Sequence, residues 1–181
     1  MAANVNIIAQ TRIVHSGGDI SSDRYTDDGS NDLVKGELCY ISNGTVVPVS
    51  TAAEALSTAS APFDAAAQYA ICLEDRTADG TSIAVQRVDE DTVFEGYLVD
   101  SSANGDVVAP VADIGDTIGG YHAATGLWAP NNVAANGLFV VVDVMDNYDP
   151  WTIPDSEDYE EDSGGVRHDR VQFRFLASLI Q

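Results

Sequence analysis

Positive charge is what this chain of 181 residues lacks most. Lys35 is its only lysine, and 8 basic residues face 29 acidic ones, for a formal charge of −21. A surface of that sign repels phosphate backbones, so nucleic acid is excluded as an expected partner. Anionic membrane surfaces are disfavoured for the same reason. Long apolar runs are missing too, and none approaches the length of a membrane span. The first residues, MAANVNIIAQTRIV, carry neither a basic start nor a long apolar core followed by a cleavage site. The expectation is a soluble chain folded in a cytoplasm, with no membrane partner.

Cysteine is scarce. Cys39 and Cys72 each lie inside an apolar, strand-like run. Two buried thiols are the simpler reading, and a disulfide between neighbouring strands stays open. No CxxC pair or Cys/His cluster suggests a metal. Catalytic signatures are also missing. The three histidines, His15, His122 and His168, fall in or beside turn-rich segments and read as solvent-facing. No serine sits in a GxSxG context, and neither GxxxxGK[ST] nor GxGxxG occurs. No enzyme and no cofactor is expected. Close carboxylates such as Glu74 with Asp75, residues 89–91 and Glu95 would suit a glycosidase, but 29 acidic residues produce such pairs without purpose. Calcium is the alternative at Asp143, Asp146 and Asp149 and at residues 155–162, where the DxDxDG loop is nonetheless absent.

What the chain does have is alternation. Residues 69–100 hold three β-like runs, 69–74, 82–88 and 92–99. Ile71, Leu73, Ile83, Val85, Phe94 and Leu98 recur at every second position. Asp79-Gly80 supplies a turn between the first two runs, and the whole stretch reads as a meander. Upstream, residues 38–42 and 45–50 flank Asn43-Gly44, a hairpin signal that sets Ile41 opposite Val46 and Tyr40 opposite Val47. Pro48 places its strand at an edge or ends it. A hairpin over 113–121 and 127–129, an apolar strand over 138–145 and a closing strand over 171–179 complete the pattern.

Between these runs lie segments without periodicity. Residues 16–32, SGGDISSDRYTDDGSND, read as a loop or mobile arm. The alanine-rich stretch 51–68 suits a short helix over 52–58 or a surface excursion. Residues 107–111 suit a short strand, and residues 146–165 a long acidic loop. Roughly nine to eleven short strands spaced about 8–12 residues apart predict an all-β fold. It takes the form of an antiparallel sandwich or barrel with long acidic loops and an extended N-terminal arm. The arm and its loop occupy 1–32 and the body 33–181, with 33–100 and 101–181 as an optional division into subdomains.

The run from LVKGELCYISNGTVVPV through YAICLEDRTADGTSIAVQR to DEDTVFEGYLVD resembles tailed-phage capsid decoration (cement) proteins. The second half, with ADIGDTIGGYHAATGLWAPN, a valine-rich strand and VQFRFLASLIQ, extends the likeness over most of residues 33–181. Its motifs are turn and strand signals. The resemblance implies a structural, non-enzymatic virion protein on the outer surface of the phage capsid, made in the host cytoplasm. Its partners would be the major capsid protein and further copies of itself, as a homotrimer or homodimer.

Two segments are the expected contacts. One is the alternating N-terminal run, with Val5, Ile7, Ile8, Arg12 and Ile13, which either docks by strand addition or forms an edge strand of its own sheet. The other is the 146–165 loop, with Trp151, Ile153 and Tyr159. A different reading is a glycan- or receptor-binding module of a tail fibre or baseplate, in which Tyr121, Trp128 and Trp151 stack on sugars. A calcium-dependent adhesion module is a third.

Overall fold

Asn43 and Gly44 carry φ values of 52° and 81°, the two left-handed positions that a type I′ reversal requires. They join β3 (Leu38–Ser42) to β4 (Thr45–Pro48), and Ile41 pairs with Val46 and Tyr40 with Val47. The turn chemistry therefore sets the register, as the sequence predicts. Pro48 is the last residue of its strand, where a missing N–H costs no further ladder bond. This computed structural model describes residues 11–15, 22–52, 54–59, 63, 68–98, 112–124, 127–132, 136–145 and 170–180.

The hairpin is one part of a closed five-stranded barrel. Its circuit runs from β2 (Ser22–Asp27) to β4, β3, β6 (Gln68–Cys72) and β7 (Ser82–Arg87), and back to β2. All its pairs are antiparallel except that of β2 with β4. β2 corrects the expectation of a loop or arm over 16–32, because residues 22–27 are built into the barrel. Its sequence, SDRYTD, has no apolar period; cross-strand pairing holds it. Arg87 Nε lies 2.6 Å from Asp23 Oδ2, and Arg24 Nη2 lies 3.1 Å from Glu74 Oε1. Tyr25 packs against the barrel interior.

β3 and β6 are buried on both faces, so their sequences read as nearly continuous apolar runs. Cys39, Ala70 and Cys72 point into the barrel with Val46, Ile83, Val85 and Leu33. Leu38, Tyr69 and Ile71 point out of it, into a larger core shared with a second sheet. There Phe63, Tyr69 and Phe175 stack, with centroids 5.2 Å apart for the first pair and 4.8 Å for the second. Phe94, Trp128, Phe139 and Phe173 continue the aromatic cluster.

The second sheet has seven strands. Its order is β1 (Arg12–His15), β8 (Val93–Tyr97), β12 (Arg170–Phe175), β11 (Phe139–Met145), β9 (Thr117–Ala124) and β10 (Leu127–Asn131). β5 (Glu54–Leu56) also pairs with β9. A 3-10 turn at Ala177–Leu179 follows β12. β9 exchanges β11 for β5 along one side, and Gly120 sits at that junction. A Cβ there would lie 3.2 Å from Phe139 Cε2 and 3.3 Å from Leu56 Cβ. β9 and β10 form the expected hairpin.

The protein is all-β, combining a closed barrel with an antiparallel sheet. Two further readings are corrected. The stretch 69–100 is not one meander, because β6 and β7 pair in the barrel whereas β8 crosses to the other sheet between β1 and β12. The 52–58 helix is replaced by β5, since the open side of β9 supplies a ladder that outweighs alanine's helix preference. Sheet membership also does not divide at residue 100. The residues proposed as a strand over 107–111 lie outside those described.

Candidate functional site

The seam between barrel and sheet gathers the buried polar chemistry. The turn before β3 brings Lys35, Gly36 and Glu37 against β9 and β10. Trp128 Nε1 donates to Gly36 O at 3.0 Å. His122, fully buried in the middle of β9, places Nε2 3.2 Å from Glu37 Oε1 and Nδ1 2.7 Å from Ala52 O. His122 was expected to face solvent, and the structure corrects this. A sequence signal existed: residues 117–124 alternate around His122 with small and apolar neighbours, and a strand position beside Trp128 faces the core.

Both ring nitrogens of His122 face acceptors, so the protonated imidazolium satisfies the site best. Burial alone pushes its pKa down. The hydrogen bonds to Glu37 and Ala52 O, with the charges of Glu37 and Glu54, outweigh burial and hold it above the ordinary value. Ser50 shares an acceptor with His122: its Oγ lies 3.1 Å from Ala52 O and 2.5 Å from Glu54 Oε1, and it accepts from Ala52 N at 3.1 Å. Neither nitrogen of His122 faces a hydroxyl, as a general base would. The group is a structural tie.

The other carboxylates divide by role. Glu74 accepts from Ala84 N and pairs with Arg24 at the surface. Glu95, one of the close carboxylates of the sequence, is 4% exposed, paired with Arg170 and within 3.4 Å of Gln172 Nε2. Asp27 is buried and accepts from Gly29 N, Gly80 N and Thr81 N, binding two turns together. Asp143 is exposed and accepts from Val144 N. Among the described residues no three His, Cys, Asp or Glu side chains form a group able to hold a metal ion. Asp146, Asp149 and residues 155–162 lie outside the described residues.

Of the expected contact residues, two are described. Arg12 is in register with Glu95 and Ile13 with Phe94, β1 ends the strand order of the sheet among the described residues, and Ile13 packs towards the core. The Cα register continues from Arg12 through Glu95 and Gln172 to Asp143 over four strands. Val5, Ile7, Ile8, Trp151, Ile153 and Tyr159 lie outside the described residues. Trp128 is 2% exposed, its ring turned into the core and the seam and not out to solvent; Tyr121 is half-buried. Sequence reasoning missed a cleft at the seam, lined by Thr11, Ile13, Lys35, Ile71, Gln86, Phe94 and Trp128 among others. Its walls come from five separate strands and a turn, which no local pattern links.

The fold and seam define an all-β protein of joined barrel and sheet, without a recognisable catalytic constellation among the described residues. Compared with protein-family models, with curated proteins and with solved structures, the chain finds no match.

Proposed function

We propose that the chain is a structural virion protein that binds the outer surface of a tailed-phage capsid and stabilises the head shell as a decoration protein. Its partners in this reading are the major capsid protein and further copies of itself. The run over residues 33–100 supplies the family likeness. The observation that carries the reading is the outer edge of β1: among the described residues Arg12–His15 pairs on one side only, with β8. An unpaired edge is a template for a strand from another chain. It is entered directly from the alternating residues 1–10.

Binding only the assembled lattice would stabilise it through linkage, in proportion to occupancy and affinity. Contacts made by several linked copies would add avidity. The test is to add purified protein to heads that lack it and to locate it by electron microscopy. Saturable binding in hundreds of copies over the head is expected, with loss of occupancy when residues 1–10 are removed. A few copies at the tail tip would favour the fibre reading, and full occupancy by the shortened chain would remove the arm from the contact.

A further inference from the structure

We propose that the cleft between barrel and sheet is a binding site for a small monocarboxylate with an apolar body. The cleft has a volume of about 200 Å³. A dry protein cavity of about 150 Å³ takes up benzene, so this one has room for a single ring or a medium-length alkyl chain. Ile13, Ile71, Phe94 and Trp128 wall it. They are apolar and come from β1, β6, β8 and β10, held together by the shared core.

Three polar groups on the same lining have no partner among the described residues. Gln86 lies in register with Ile71 and is only 8% exposed, yet among the described residues its amide makes no hydrogen bond. Thr11 Oγ1 is shielded from solvent and unpaired. Lys35, the only lysine, has no carboxylate of the described residues paired with its ammonium. Its backbone is fixed all the same, since its N–H donates to Asp75 Oδ1 at 2.8 Å and the adjacent Gly36 O is held by Trp128. The Thr11 hydroxyl, shielded and without a partner among the described residues, costs free energy that a bound acceptor would recover.

All three groups can donate: an ammonium, an amide NH₂ and a hydroxyl. A carboxylate has two oxygens with about four acceptor positions and carries one charge to set against Lys35. A neutral apolar guest would leave Gln86 and Thr11 unpaired. A dianionic phosphate would strip more hydration against apolar walls, inside a chain already at −21. The inference does not depend on the capsid reading.

The test uses the full chain and two probes of matched length, octanoate and 1-octanol, followed by ¹H–¹⁵N correlation spectra. Octanoate is expected to shift the Trp128 indole N–H and the Gln86 side-chain amide saturably. It should bind roughly tenfold or more tightly than 1-octanol, the worth of one charged hydrogen bond. Lys35→Gln, at an exposed position, should erase that difference and leave octanol binding as it was. Absence of a saturable octanoate shift would overturn the proposal. So would equal affinity for the two probes, or unchanged octanoate binding by Lys35→Gln.

Discussion

His122 Nε2 on β9 stands 3.2 Å from Glu37 Oε1 on the turn leading into β3, with both side chains shut away from water. The contact joins the sheet to the barrel. Because Glu37, Ala52 O and Glu54 hold the imidazole's pKa above the value near 6.5 of an unfolded chain, the folded state binds this proton more tightly. That contribution to stability is full below about pH 6.5 and is lost as pH rises through the higher folded value. Comparison of urea unfolding for the native chain and His122→Gln should show a gap that narrows from about pH 6 towards pH 8. A gap independent of pH would contradict the tie.

Asp27 is the second joint. Its carboxylate takes N–H donors at 2.7 Å from Gly29, 2.7 Å from Gly80 and 3.2 Å from Thr81. Asp27→Ala strands these donors and should cost roughly 3 kcal/mol or more, whereas Asp27→Asn keeps an acceptor oxygen and should cost clearly less. Equal denaturation midpoints for the two variants would show that the carboxylate is incidental.

Phe94 is fully buried, with ring centroids 5.3 Å from Trp128 and 5.7 Å from Phe173. Phe94→Ala should lower the free energy of unfolding by about 3–5 kcal/mol. A loss under about 1 kcal/mol would mean that the seam collapses around the gap.

The thiols of Cys39 and Cys72 approach to 3.3 Å inside the barrel without a bond, against about 2.05 Å for a disulfide. Burial first, then Cys72 and the Glu37 charge, push the Cys39 thiol well above its ordinary pKa. The thiolate that reacts is therefore suppressed. Iodoacetamide should label neither cysteine in the native protein and both in denaturant, as counted by mass spectrometry. Rapid native labelling would refute the buried pair.

Local chemistry made much of the fold legible. Asn43-Gly44 dictated a register that Ile41 and Val46 obey, and the alternation of Phe173 and Phe175 marked β12. What escaped was decided by distant partners. β2 reads as a loop because what holds it is pairing with β7, more than fifty residues away in sequence, and with β4. β5 reads as a helix because nothing near Ala55 announces the open side of β9. The buried His122 looked like a surface residue because its counter-charge, Glu37, lies far along the chain. Of the contact residues named from sequence, β1 alone is described. The cleft was invisible for the same reason as β5: its walls meet only in three dimensions.

The path of the chain carries one last consequence. It enters the sheet at β1, leaves for β2–β4, returns for β5, departs again for β6 and β7, and comes back for β8–β12. No contiguous stretch encodes either half. A gene fragment coding for the barrel always carries a strand of its neighbour, so the two halves cannot have been shuffled as cassettes. They cannot be exchanged as cassettes in engineering either: grafting new function onto this scaffold has to proceed through its turns.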